Sequence, residues 1–361
     1  MIPVLEARGN SIAEVWDAAL LALWREGMEI RTQYDYDPFS KVWGDPSKDC
    51  TMRMVVPSSL NEPRLHICLE GGAEQLGDYE TEVVLGLKDD WVKKVSTDPQ
   101  WTYTYHGRLA DYGNRMNFAC SKENVPGKWA SLAYKIPSSN GGFTYQDIDP
   151  FDQIEFMVQQ IVEAPYTRRA VAITGIPFAD GDTGDPPCLR QIWVRGYYED
   201  NVLKIDMHTH WRSRDAWGAA LFNMYALTEL HRSICTKVEN EFEIRSEGLA
   251  TLPCPKCNGK IRGQDLSYDM KCEDCGLMPY RVEAGAYVDE AESFHIYGRD
   301  MKVFEERFIR GVHGIDPRTG EKIQEMMPNE RRYKDLTKEP WKEMLADGYQ
   351  KAIKRWEDES Q

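Results

Sequence analysis

Between Leu203 and Arg212 the chain alternates strictly: Leu203, Ile205, Met207, Thr209 and Trp211 are interleaved with Lys204, Asp206, His208, His210 and Arg212. A period of two predicts a strand with one face turned to a core. Glu199, Asp200 and Asn201 precede it as a turn, which makes it a hairpin with Gln191 to Arg195. Beyond Trp217, the spacing of Leu221, Met224, Tyr225, Leu227, Thr228 and Ile234 fits a helix with a broad apolar face. Chemistry-bearing residues cluster along this same stretch, Pro186 to Asn223. Cys188 follows Pro186 and Pro187, which fix φ and remove amide donors, so the backbone there cannot simply join a sheet centre. Arg212 and Ser213 close the second strand, Asp215 follows, and Asn223 opens the helical run. A potential nucleophile, an anion site and an amide able to read a base edge thus share one short segment. A buried packing cysteine is the plain alternative for Cys188.

The rest of the chain supplies the frame. Ser11 predicts a helix cap, with Glu14 at the capping-box position and Gly27 near the end. Arg31 to Pro38 reads as a loop rich in tyrosine and aspartate, Met52 to Val56 as a strand, and Tyr79 to Leu87 as a helix containing Glu82. Trp101 to Tyr112 is dense in aromatics, Lys122 to Gly142 has the composition of a surface insertion, and Asp152 to Val162 is an amphipathic helix. Arg168 and Arg169 begin the strand Ala170 to Ile173. Adjacent strand residues face opposite ways, so both can reach one anion only near a strand end or bend.

Four of the nine cysteines form two CxxC knuckles, Cys254 with Cys257 and Cys272 with Cys275. Four thiolates at this spacing predict a tetrahedral zinc ribbon, closed and therefore structural; four reduced thiols are the alternative. A net charge of −15 disfavours non-specific nucleic-acid binding, so an anionic substrate would need a local arginine cluster. No apolar run approaches a membrane span, and Met1 to Asn10 lacks the character of a signal peptide. With cysteines too few for a disulfide framework, these features predict a cytoplasmic protein without membrane or nucleic-acid partners.

The motifs PPC, RSRD and FN resemble those of thymidylate synthases and their pyrimidine-hydroxymethylase relatives, with the Asp215 to Asn223 spacing intact. Arg31-Thr32, Asp152-Gln153-Ile154 leading to Arg168-Arg169, and His295-Ile296-Tyr297 follow in the family's order. The resemblance implies an α+β fold, with a three-layer arrangement of a large mixed sheet and packed helices. It assigns residues 1–246 and 287–361 to the catalytic domain and 247–286 to an inserted zinc ribbon. It implies C5 methylation of dUMP to dTMP with 5,10-methylenetetrahydrofolate as cosubstrate, through a Cys188 thiolate adduct at C6. A pyrimidine nucleotide hydroxymethylase is the alternative reaction, and a catalytically silent nucleotide-binding homologue the non-enzymatic one.

By the same resemblance, Arg31, Arg168, Arg169, Arg212 and Ser213 hold the phosphate, and Arg212 also activates the thiol. His295 and Tyr297, two apart and so on one face of a strand, meet a sugar hydroxyl, and Asn223 reads uracil by donating to O4 and accepting from N3–H. Asp215 contacts the folate pterin, Glu82 assists proton transfer (Glu80 lies close by), and Tyr105 faces the active site. Arg168 and Arg169 cross to the partner's nucleotide in the family, so the resemblance implies a homodimer with shared active sites. The chain departs from the family in two places. Leu189 stands where many members have histidine after the nucleophile, and the end WEDESQ is polar where typical members carry an apolar closing segment.

Overall fold

The computed structural model describes residues 1–69, 72–94, 103–113, 135–137, 143–145, 151–176, 180, 186–246, 251–254, 256–262, 271–278, 281–323 and 339–359. The strands in chain order are β1 (Val4–Arg8), β2 (Met28–Ile30), β3 (Tyr36–Asp37), β4 (Val42–Trp43), β5 (Ser47–Val56), β6 (Lys135–Pro137), β7 (Phe143–Tyr145) and β8 (Val171–Ile173). They continue with β9 (Leu189–Glu199), β10 (Val202–Trp211), β11 (Arg214–Asp215), β12 (Thr251–Pro253), β13 (Lys260–Arg262), β14 (Lys271–Cys272) and β15 (Val282–Ile296). The large sheet runs β1-β5-β15-β10-β9-β8, with β2 on β5 and β11 on β15. β1 pairs with β5 in parallel and β15 with β5 antiparallel, so the sheet is mixed and the fold is α+β. Most of the Lys122 to Gly142 stretch lies outside the described residues.

The chain divides into two compact units. The first comprises Met1–Thr81, His208–His231 and Gly285–Gln361. Its helix α1 (Ile12–Glu26) starts where the sequence predicts: the Glu14 amide donates to the Ser11 hydroxyl, and the Glu14 carboxylate accepts from the Asn10 amide at 2.9 Å. Ile12, Val15, Trp16, Ala19, Leu20 and Leu23 all face inward, and the Trp16 indole donates to the Ala216 carbonyl at 2.8 Å. Trp16 stacks on Trp217 with ring centroids 5.9 Å apart, and Phe304 and Phe308 close the same aromatic cluster. Arg214 is fully buried, paired with buried Asp289, and sits over the Trp211 ring at 4.0 Å. A charge with no exposed surface persists only when its partner is fixed, and here a ring face and a carboxylate do so.

The second unit comprises Glu82–Met207 and Arg232–Ala284. Here β9 turns into β10 through Asp200 and Asn201, both with positive φ (50° and 62°), the paired left-handed conformation of a two-residue hairpin turn. Helix α2 (Gln153–Glu163) is capped by Asp152, whose carboxylate accepts from the Ile154 and Glu155 amides. The Gln153 carboxamide then accepts from the Ile173 amide at 2.9 Å and donates to the Ile173 carbonyl at 2.7 Å. One side chain therefore substitutes for a neighbouring strand beside β8. At the far end of the hairpin, Tyr198 packs against a small core of Cys254, Ile261, Cys272 and Leu277.

Candidate functional site

In the second unit, Cys188 is half-buried immediately ahead of β9, followed by fully buried Leu189. The backbone on its C-terminal side is held on both faces. The Leu189 amide lies 3.5 Å from the Tyr105 hydroxyl, and the Leu189 carbonyl accepts from buried Thr174. Thr174 is in turn tied to Arg108, whose guanidinium donates to the Thr174 carbonyl at 3.1 Å and pairs with Asp180 at 2.8 Å. Tyr105 opens a short helix, Tyr105–Ala110, capped by the Thr104 hydroxyl. Tyr105, which the resemblance places facing the active site, thus lies against the residue that follows Cys188. The sequence gives no sign of Thr174, Arg108 or Asp180, each a single residue on a different element.

Glu82 is buried and ion-paired with Lys88 at 2.9 Å. Arg168 and Arg169 are exposed just ahead of β8, at a strand end. The Arg168 carbonyl accepts from the Trp193 indole at 3.2 Å, which fixes its backbone.

In the first unit, β15 carries an irregularity between Ala291 and Phe294 in its pairing with β5, beyond which His295 lies opposite Asp49. Bulges of this kind re-aim side chains. Ser293 here bridges the two: its hydroxyl donates to Asp49 at 2.8 Å and lies 3.1 Å from His295 Nδ1. The serine proton is committed to the carboxylate, so His295 Nδ1 carries its own proton toward the serine oxygen and Nε2 is left as an acceptor. Burial pushes the His295 pKa down against the pull of Asp49, which keeps the ring neutral; burial likewise raises the Asp49 pKa. Tyr297 lies one residue past the strand, as the cap of the helix Gly298–Phe304, so the expected shared strand face is not the device that joins it to His295. The two rings still meet edge-on with centroids 4.7 Å apart.

Tyr297 and Arg299, stacked at 4.6 Å, line a cleft of about 480 Å³ with Tyr34, Asp35, Tyr36, Asp37, Gly44 and Asp45. Arg31 donates through one guanidinium nitrogen to the Gly44 carbonyl at 2.7 Å and lies over Trp43 at 5.6 Å. Arg212 and Ser213 are half-buried in the bend between β10 and β11. Asp215 accepts from the Trp217 and Gly218 amides at 3.1 and 2.9 Å. Burial raises its pKa against those two bonds, and Asp300 adds to the rise. Asn223 is buried near the start of the helix Ala220–Ser246, and its amide nitrogen donates to the Tyr79 hydroxyl at 2.5 Å. Tyr79, which the sequence offers only as the start of a helix, lies 144 positions away on the helix Gly72–Leu85.

The remaining centre is the cysteine cluster of the second unit. The Sγ atoms of Cys254, Cys257, Cys272 and Cys275 all lie within 4.8 Å of one another, with Cys254 to Cys275 at 3.6 Å and Cys257 to Cys272 at 3.5 Å. Four sulfurs about 2.3 Å from a tetrahedral zinc would sit roughly 3.8 Å apart, so the donor set fits such an ion. The Gly259 amide donates to Cys257 Sγ at 3.4 Å, an N–H···S bond that favours thiolate. Among the described residues this is the one His, Cys, Asp or Glu group close enough to hold a metal, and no helix is long and apolar enough to cross a membrane.

No family profile matches the chain. Curated relatives do. A protein of Methanosarcina mazei named "Putative thymidylate synthase" is 25% identical over 157 residues, covering 44% of this chain and 64% of the relative. Its namesake in Methanosarcina acetivorans is 24% identical over the same shares. One in Methanopyrus kandleri is 31% identical over 86 residues, 24% of this chain and 40% of the relative. The chain thus spans less than two thirds of the length of the curated relatives it matches. Among solved structures, thermostable thymidylate synthase A from Bacillus subtilis aligns with a TM-score of 0.44 and 11% identity over 83% of this chain and 84% of that one. The motifs and the curated relatives point the same way, and over the part they share this chain is similar to proteins bearing the thymidylate synthase name.

Proposed function

We propose that the protein is a folate-dependent transferase acting at C5 of a uridylate, with dUMP as substrate and dTMP as product. The observation that carries this reading is the placement of Cys188, half-buried behind two prolines with the next residue fastened by Tyr105 and Thr174. A pyrimidine C5 is a poor nucleophile until a group that can leave again adds to C6, and a thiolate is well suited to that. Cys188 adds to C6 and turns C5 into an enolate carbon. Asn223 holds the uracil edge, donating to O4 and accepting from N3–H. His295 Nε2 accepts from a sugar hydroxyl, with Tyr297 beside it. Arg31, Arg168, Arg169, Arg212 and Ser213 hold the phosphate through charge-assisted and hydroxyl hydrogen bonds. Glu82 manages the proton leaving C5, and Asp215 meets the pterin. Bound 5,10-methylenetetrahydrofolate supplies the one-carbon unit and then the hydride that makes it a methyl group. Loss of the C5 proton and departure of Cys188 from C6 restore the aromatic base.

Residues 247–286 are read as a module inserted into this scaffold, with a structural zinc held by its four cysteines. The protein acts as a homodimer in which Arg168 and Arg169 serve the partner's nucleotide. Mixing inactive Arg169 and Cys188 variants then restores part of the activity through hybrid dimers.

Incubation with dUMP and methylenetetrahydrofolate tests the reaction. Dihydrofolate and dTMP formed in equal amounts support the proposal. A nucleotide gaining a hydroxymethyl group, with the folate left as tetrahydrofolate, replaces methylation by hydroxymethylation. No product of either kind points to a silent homologue.

A further inference from the structure

Arg190 lies two residues beyond Cys188 on β9, half-buried and in the same unit. Its guanidinium folds back along the chain and donates through Nη1 to the Pro187 carbonyl at 3.4 Å. It also rests on Gly175, just past the end of β8, where only the missing side chain makes room. An added Cβ would lie 2.3 Å from Arg190 Nη2 and 2.7 Å from Cζ. The two backbones are joined at this level, the Thr174 amide donating to the Arg190 carbonyl at 3.2 Å. A strand pairing, a glycine notch and a carbonyl thus hold the guanidinium beside the residue that precedes Cys188.

None of these contacts is charged, and among the described residues no carboxylate pairs with Arg190. The ionisable side chains bonded to Leu189, Thr174 and Gly175 are Tyr105, Arg108 and Tyr112. Arg108 has its charge met by Asp180, and the two tyrosines bring hydroxyls, so Arg190 alone in this group brings an uncompensated charge. A half-buried cation without a counter-ion favours an anion near it. The Pro187 carbonyl carbon is bonded to the Cys188 nitrogen, so covalent geometry keeps Cys188 Sγ within about 9 Å of Arg190 Nη1. Opposite charges still attract across such a gap where solvent is partly excluded, and a thiol beside a cation gives up its proton more readily.

We propose that Arg190 is a positioning residue that favours the thiolate of Cys188, with Gly175 as the notch that keeps its guanidinium in place. The inference rests on the reading of Cys188 as the nucleophile. The resemblance gives the activating task to Arg212, a residue of the first unit; Arg190 adds a cation carried by the cysteine's own segment. No bond forms or breaks, and Arg190 acts through the thiol rather than on the substrate.

Alkylation of Cys188 by iodoacetamide tests this in the intact protein with no substrate present. Iodoacetamide reacts with the thiolate, so the midpoint of the rate between about pH 6 and about pH 10, followed on the Cys188 peptide by mass spectrometry, reports the thiol proton. Arg190→Gln keeps a donor and loses the charge, and should move the midpoint up by about one pH unit. Arg190→Lys should recover part of that shift, since it restores the charge without the planar fork. Gly175→Ala keeps the charge but displaces the guanidinium, and should move the midpoint up by a smaller amount. Thermal midpoints near wild type show that the variants are folded; should Arg190→Gln not fold, Gly175→Ala decides. A midpoint unmoved in Arg190→Gln and Gly175→Ala overturns the inference, and weaker dUMP binding by such an Arg190→Gln protein would make the arginine a ligand for the nucleotide's anion instead. A shift in Arg190→Gln alone keeps the cation and removes the notch. A shift in Arg190→Gln together with full turnover by Cys188→Ser would sink the nucleophile reading and leave the thiolate assignment standing.

Discussion

The second unit holds two kinds of cysteine on one length of structure, and they differ in almost every physical respect. The four ribbon cysteines converge within 4.8 Å, and two of them, Cys254 and Cys272, are buried in the module's own small core. Cys188 stands half-buried on the far end of the same β9 strand whose Tyr198 packs against that core. A closed set of four sulfurs has no open position for a substrate and contributes to folding. A single thiol between a rigid diproline and a doubly fastened residue can reach a ligand while its backbone stays put. Neither resembles Cys50 and Cys235, whose thiols burial pushes up to about 12, the condition of inert packing cysteines. Cysteine therefore stands in three different surroundings in this chain, and surroundings rather than residue type set what each thiol can do.

The largest effect is expected from changing Cys188 itself. Cys188→Ser should lower turnover by more than about a thousandfold, as removal of a nucleophile does. Its thermal midpoint and nucleotide binding should stay near wild type, read by calorimetry. Turnover close to wild type removes Cys188 from the mechanism. Disrupting the four-cysteine set should act the other way. Metal analysis of the purified, reduced protein should find about one zinc per chain for the four-cysteine set. Cys272→Ser should destabilise the protein by about 3 kcal/mol or more while the chemical step in the remaining folded enzyme is little changed. A Cys272→Ser protein as stable as wild type argues against a metal centre.

A smaller effect concerns the first unit. Burial lowers the pKa values of His66 and His295, so the unfolded chain binds more protons than the folded one as pH falls below the ordinary histidine value of about 6.5. Stability from these two groups is fully present above that value and is lost as pH falls toward their folded pKa values. The thermal midpoint should therefore drop between pH 7.5 and pH 6, and His295→Asn should flatten part of the slope. An unchanged slope in that variant would mean that His295 is not buried in its neutral form.

Much of the frame was legible because its signals are local. Ser11 with Glu14, Asp152 with its two amides, the Asp200-Asn201 turn and the CxxC knuckles each declare themselves within a few residues. The pairings that set the site are not local. Ser293 reaches Asp49 across 244 positions, Arg214 reaches Asp289 across 75, and Asn223 reaches Tyr79 across 144. No periodicity marks a lone polar residue whose partner arrives from another element. The irregularity in β15 shows the same limit. Two residues apart on an assumed strand placed His295 and Tyr297 on one face, but the strand stops at Ile296 and the helix cap turns the tyrosine. The rings meet through that turn rather than through the pleat.

In the proposed reaction the Cys188 thiolate, and no other cysteine, adds to the pyrimidine. The most direct measurement uses 5-fluoro-dUMP with methylenetetrahydrofolate, because fluorine cannot leave C5 as a proton does and the adduct stops before the thiol is released. Peptide mapping by mass spectrometry should then find nucleotide and folate together on the peptide containing Cys188, and no such mass on any other cysteine peptide. Steady turnover of dUMP with that peptide unmodified, or an adduct on a different cysteine, would contradict the account.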